Sequence, residues 1–307
     1  MNPVIGLIPS VNGYGHTRRL ISIALALEKK GFKIIFLLSC GSMNSDLSTL
    51  ISKYSYRIDF YCALDKLEGF YVKKPAIHSC SIKRDKKFSL DFVISDSLLW
   101  VESLKSHSIL IAQFIWEDYY EESRETILIK LTSFKKIFGQ RYFSTKILTS
   151  NHNFQEIPLL DYWNLRNYLN TESQDRIAVA WSGAENIYGL FPTGTLIENF
   201  PIIKGMEKFL KSNFKPLGVI CRPGLGAISE CLSAGIIPIL INTTDKELVY
   251  NSKVAFKFGW AIPFEDIKEL SFKEQIDFIK EFKTNLILPH QITSELFVSE
   301  YLIKELR

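Results

Sequence analysis

The chain has 307 residues, 47% hydrophobic and 23% charged, which is enough for one large domain or two ordinary ones with real cores. Its 37 basic and 33 acidic residues leave a net charge of +4, too mild for a nucleic-acid partner but compatible with weak contact on an anionic membrane surface. No apolar run reaches the ~20 residues of a membrane span, the N-terminus lacks the pattern of a secretory signal, and Cys40, Cys62, Cys80, Cys221 and Cys231 form no C-x-x-C pair, which together point to reduced thiols in a cytoplasmic protein.

Residues 3–9 read as an apolar strand, 12–19 as a loop, 20–30 as a helix closed by Gly31, and 33–39 as a second strand. This βαβ unit predicts a parallel sheet with a right-handed crossover. Ligands of such sheets bind beyond the carboxyl ends of the strands. The loop there reads G-x-G-H-x-x-R at Gly13, Gly15, His16 and Arg19. A G-x-G without a third glycine is a weak fingerprint. His16 is either catalytic or a helix cap or phosphate ligand.

Residues 56–62 alternate as a strand does, and 66–88 form a polar, basic loop that is either solvated or an acceptor-side surface. A strand over 90–95 ends at Asp96, at the same sheet edge as His16. Asp96 either orients an imidazole or caps a helix over 98–105. After a strand over 108–113 comes an aromatic and acidic cluster containing Trp116 and Glu117. Such a cluster suits sugar rings and hydroxyls, or interdomain packing. Residues 146–150 read as the last strand of a first domain and 151–174 as the stretch containing the linker. The domains are set at 1–165 and 166–307. Residues 176–181 open the second sheet, with Gly183 in the turn after it. Too few residues separate Gly183 from Gly224 for a full set of strand–helix units, so the second domain is reduced.

The most informative stretch is 219–242, VICRPGLGAISECLSAGIIPILIN. It reads as a buried strand, a Pro/Gly break, a helix ended by Gly235, and a second buried strand. Glycines at a helix start expose backbone N–H groups that have no intrahelical partner, and the helix dipole adds positive charge, making an anion site. Ser229 adds a hydroxyl, and Glu230 suits two vicinal ribose hydroxyls. The plainer alternative is a βαβ crossover whose glycines only relieve crowding.

This stretch resembles the nucleotide-sugar-binding signature of GT-B glycosyltransferases, in particular the peptidoglycan N-acetylglucosaminyltransferases and the UDP-glycosyltransferases. The matching residues are Gly224, Ser229, Glu230, Ala234, Gly235 and Pro238. The resemblance implies an α/β fold of two Rossmann-like domains with parallel sheets facing across a cleft, the final helix crossing back to the first domain. It implies a donor site of Gly183, Arg222, Gly224, Leu225, Gly226, Ala227, Ser229, Glu230, Glu247 and Asn251. Leu248 stands where a glutamine is usual, which leaves the sugar undetermined. The acceptor side would hold Gly13, Gly15, Arg19, Trp116 and Glu117, and His16 with Asp96 would be catalytic. The implied function is inverting, metal-independent transfer of a sugar from a UDP-sugar to a hydroxyl of a saccharide or lipid-linked acceptor in bacterial-type glycan synthesis, with no cofactor and with peripheral contact at the inner membrane face. The G-x-G-H-x-x-R loop is also similar to that of nucleotide-sugar hydrolases of pseudaminic acid synthesis, so a hydrolase is the alternative. A non-catalytic nucleotide-sugar-binding subunit of a membrane transferase is the third possibility.

Overall fold

A computed structural model describes residues 3–10, 14–38, 45–62, 90–99, 107–115, 123–180, 202–203 and 215–307. Gly13, Trp116, Glu117, Gly183 and the basic loop over 66–88 lie outside the described residues. The chain divides into two units, Met1–Ile157 with Ser294–Arg307, and Pro158–Thr293. The division falls at 157/158, ahead of the expected 165/166, and the C-terminal residues belong to the first unit.

In unit 1 the short aliphatic runs become strands of one sheet: β1 (Val4–Pro9), β2 (Lys33–Leu38), β3 (Asp59–Cys62), β4 (Phe92–Asp96), β5 (His107–Ile111), β6 (Lys136–Gln140) and β7 (Phe154–Ile157). Their order is β3-β2-β1-β4-β5-β6-β7, and every pairing is parallel. Ile5, Leu7 and Ile8 of β1, Val93 and Ile94 of β4, and Ile109 and Leu110 of β5 are fully buried. Parallel strands are covered on both faces, which is why they read as continuous apolar runs. Helix α1 (Tyr14–Lys29) crosses from β1 to β2, burying Leu20, Ile21, Ile23, Ala24 and Leu27. Helices α2 (Ser45–Tyr54) and α3 (Arg124–Thr132) follow β2 and β5.

Two expectations are corrected here. Residues 146–150 are not a strand. They hold one helical turn, α4 (Lys146–Thr149), which buries Ile147 and Leu148. The two apolar residues Ile147 and Leu148 carry no period long enough to separate a strand from a buried helical turn. The last strand of unit 1 is β7, inside the stretch expected to hold the linker. Helix α1 also starts earlier than expected, at Tyr14, so His16 and Arg19 are helical and not in a loop.

Unit 2 has a parallel sheet of β9 (Gln174–Ala180), β10 (Ile202–Ile203), β11 (Pro216–Cys221), β12 (Ile237–Leu240) and β13 (Ile262–Pro263), in the order β10-β9-β11-β12-β13. A short parallel pair, β8 (Leu159–Asp161) with β14 (Gln291–Thr293), joins its two chain ends. Helices α5 (Leu225–Ala234), α6 (Lys246–Lys257) and α7 (Phe272–Thr284) follow β11, β12 and β13. Gly235 ends α5 in the left-handed region, φ +66°, as the sequence predicts. Ser271 and Glu274 close α7 with a reciprocal capping box, satisfying two otherwise orphaned N–H groups.

Candidate active site

Each sheet reverses its strand order once. The crevice left at such a point, beyond the carboxyl ends of the strands, is where open α/β sheets bind ligands. In unit 1 the reversal lies between β1 and β4, and Pro9 and Asp96 sit opposite each other at its end. In unit 2 it lies between β9 and β11, and β11 runs into the turn before α5.

The first crevice gathers a polar cluster inside an apolar sheet. His16 and Arg19, three residues apart on one helix, share a face. Both meet Asp96, which is fully buried. His16 Nδ1 lies 2.9 Å from Asp96 Oδ1. Arg19 donates through Nη2 to Oδ1 at 2.7 Å and through Nε to Oδ2 at 3.0 Å. This two-point fork is the strong form of the arginine–carboxylate bond. Arg19 Nη1 donates to Gln113 Oε1 at 3.2 Å, and Ser97 Oγ donates to Asp96 Oδ1 at 3.1 Å. Burial pushes the Asp96 carboxyl up, but the charge of Arg19, and then that of His16, overcomes this and holds it below the usual carboxylate range. Asp96 is therefore an ionised acceptor at neutral pH.

The backbone turns sharply after Asp96. Ser97 has φ +63°, an uncommon conformation for a residue with a Cβ, and its N–H bonds to the Ile111 carbonyl at 3.0 Å. Ser97 and Gln113 carry no sequence signal, since neither stands in a motif. Arg19, expected on the acceptor side, has its guanidinium on Asp96. Its spacing of three from His16 was the available clue.

In unit 2 the turn Arg222–Gly224 leads into α5 without a side-chain cap on the first helical N–H groups. Gly224 has ordinary extended geometry, φ −68° and ψ 135°. A Cβ added at Gly224 or Gly226 would meet nothing within 4 Å among the described residues. Among the described residues, then, neither a left-handed backbone nor crowding requires glycine at these two positions. Gly218 differs, since a Cβ there would sit 2.9 Å from Ile239 Cδ1.

Polar atoms without partners surround this region in sequence. Asn251 on α6 is fully buried, and among the described residues neither its Oδ1 nor its Nδ2 has a hydrogen-bond partner; Arg222 Nε is likewise buried and unpaired among them. Leaving such a group unmet costs roughly 1–3 kcal/mol. Glu247, one helical turn ahead of Asn251, and Glu230 on α5 are buried carboxylates. Leu225 is buried, and Ala227 is half-buried in α5's first turn. Ser229 is corrected: it is fully buried and donates to the Leu160 carbonyl at 2.7 Å. Its hydroxyl ties α5 to β8. Gly15 is exposed, and a Cβ there also meets nothing within 4 Å among the described residues.

No protein-family model and no curated protein matches the chain. Solved structures do. Phytolacca americana UGT2, complexed with UDP-2fluoro-glucose and pterostilbene, superposes with a TM-score of 0.61 at 11% identity, covering 99% of this chain and 100% of that one. Arabidopsis thaliana UGT89C1, complexed with UDP-L-rhamnose, gives 0.57 at 11% identity, covering 100% and 99%. CalG4, the calicheamicin glycosyltransferase, gives 0.55 at 9% identity, covering 100% and 98%. At such identities the likeness speaks for the fold. With its two Rossmann-like units of parallel strands, this chain has the GT-B fold of the glycosyltransferases.

Proposed function

We propose that the chain is an inverting, metal-independent glycosyltransferase that moves a sugar from a UDP-sugar to a hydroxyl of a saccharide or lipid-linked acceptor. The observation that carries this reading is the contact of His16 Nδ1 with the buried, ionised Asp96 at the strand-order reversal of unit 1. An imidazole is suited to proton abstraction near neutral pH. A carboxylate on its Nδ1 fixes the ring and stabilises the imidazolium that forms. His16 thus removes the acceptor proton, and Asp96 holds it for that task.

The donor belongs to unit 2 in this proposal. The uncapped N–H groups of α5 stabilise the departing diphosphate, the electrostatic role that a metal plays in other transferases. Arg222, with its unpaired Nε, adds charge to that anion. Glu230 takes the ribose, and Glu247 with the unpaired Asn251 takes sugar hydroxyls. The neighbours crystallised with UDP or UDP-sugars make a UDP-sugar the first donor to try.

The test is turnover of a panel of UDP-sugars in EDTA, with and without saccharide and lipid-linked acceptors. Transfer that requires an acceptor and persists in EDTA is expected. His16→Ala should lower it by about 10²–10⁴-fold, the usual range for a positioned base. Full turnover to free sugar without acceptor would instead establish the hydrolase. Activity lost in EDTA and restored by magnesium or manganese would remove the metal-independent mechanism.

A further inference from the structure

Asp96 Oδ1 receives three groups: His16 Nδ1 at 2.9 Å, Arg19 Nη2 at 2.7 Å and Ser97 Oγ at 3.1 Å. Arg19 Nη2 also lies 2.7 Å from His16 Nδ1. One ring nitrogen offers either one hydrogen or one lone pair. Two arrangements are thus open to the triangle. In the first, Nδ1–H donates to Oδ1, and Nε2 keeps the lone pair that a base needs. In the second, Nη2 donates to a bare Nδ1, and the proton sits on Nε2, where it blocks base chemistry.

The geometry favours the first. Arg19 directs Nε–H and Nη2–H in parallel onto the two oxygens of Asp96, and a charged fork of this kind outweighs a single bond to a neutral imidazole. Gln113, almost fully buried, holds the third guanidinium nitrogen and so fixes the plane of the fork. Nη2 has a second hydrogen that could reach a bare Nδ1, but the Nδ1 lone pair would then face the charged Oδ1 at 2.9 Å, so the Nη2–Nδ1 approach is that of two donors aimed at one oxygen. The ionised carboxylate can only accept, so it draws the His16 proton to Nδ1.

We propose that Arg19 is a positioning residue for His16: by clamping the Asp96 carboxylate at two points it keeps the imidazole proton on Nδ1 and leaves Nε2 free. The proposal deepens the reading of His16 as the base and rests on it for its kinetic consequence. Its structural part does not depend on any substrate. The fork is a property of guanidinium, and lysine offers a point charge without a plane.

The experiment is ¹⁵N NMR of the histidine ring nitrogens in the full chain, with His16→Gln identifying the signal, combined with steady-state kinetics on the active UDP-sugar. The unsubstituted chain should show the proton on Nδ1. Arg19→Lys should shift the population towards Nε2–H, lower kcat by about 10–100-fold, as small misplacements of reacting groups do, and leave the donor KM unchanged. A purely structural role would move stability and leave the ring nitrogens alone. Gln113→Leu, which keeps the charge and frees one edge of the fork, should give a smaller shift in the same direction and serves if Arg19→Lys does not fold. A proton on Nε2 in the unsubstituted chain, or tautomer and kcat both unmoved by these variants, would overturn the proposal. If the tautomer responds to Arg19 but no UDP-sugar is turned over, the clamp stands and the transferase reading fails.

Discussion

Asp96 concentrates the electrostatics of unit 1 in one buried carboxylate. It has no water to solvate it, and its charge is tolerated because Arg19, His16 and Ser97 all turn donors towards it. Its folded pKa is depressed, while an unfolded aspartate titrates at about 3.9. Below that value the unfolded chain binds a proton that the folded chain refuses, so stability rises with pH across the window. The contribution is fully present above the unfolded pKa and is lost as pH falls through the folded one. Urea unfolding between pH 3 and pH 6 should therefore show a drop that Asp96→Asn lacks. At neutral pH the same variant should be less stable by about 3–5 kcal/mol, because it strands the buried Arg19 charge. Equal pH slopes for the two proteins would show that this carboxylate does not govern acid stability. His16 and Asp96 were legible in the sequence because each follows an apolar strand. Their link to Arg19 was only half legible: the spacing of three from His16 was visible, but the approach across 77 positions to Asp96 is made by strand order, which no local pattern states.

Among the elements, the β11–α5–β12 segment is the one that sequence described best, and its glycines separate structural from functional need. Gly235 has φ +66°, and a Cβ there would stand 2.7 Å from Leu169 Cδ1. Gly224 has neither constraint. Gly235→Ala should therefore destabilise the protein by at least about 1–2 kcal/mol from the left-handed backbone alone, leaving nucleotide affinity of the folded fraction intact. Gly224→Val should unfold at nearly the parent temperature but bind UDP more weakly, because its side chain fills the approach to α5's N–H groups. Calorimetric titration with UDP and thermal melts of both variants check this. A Gly224→Val protein that binds UDP as the parent does would take the diphosphate away from this turn. The strands β1, β4, β11 and β12 were legible as apolar runs between breakers. β6, with the sequence KIFGQ, offers too few consecutive apolar residues to stand out. The turn over Lys146–Thr149 offers only Ile147 and Leu148 as a pattern, too short to tell strand from helix, and its tertiary setting makes it helical.

At the scale of the whole molecule, the chain leaves unit 1 at Ile157 and returns to it at Ser294. The returning stretch is continuous helix, α8 (Ser294–Phe297), a π-helical segment (Val298–Leu302) and α9 (Ile303–Leu306). It was expected as a final crossing helix, and its anchors explain the return. Ser294 Oγ bonds Ser22 Oγ of α1 at 2.9 Å, and Lys29 of α1 pairs with Glu295 at 3.2 Å. Phe297, Val298 and Leu302 are fully buried, and the Phe297 ring meets that of Phe138 on β6 edge-on, with centroids 5.4 Å apart. The exposed ion pair contributes at most about 1 kcal/mol, so the apolar contacts dominate. Removing a buried phenylalanine ring costs roughly 3–5 kcal/mol, a large share of the 5–15 kcal/mol that a domain possesses. Phe297→Ala should thus loosen unit 1 although it lies 10 residues from Arg307. Hydrogen exchange resolves the effect by position. Amides of β1, β4 and β6 should lose protection by several kcal/mol, while those of β11 and β12 in unit 2 should keep theirs if the units open separately. Equal loss in both sheets would mean that the two units unfold as one cooperative body, and the C-terminal helix would then be holding the whole chain and not unit 1 alone.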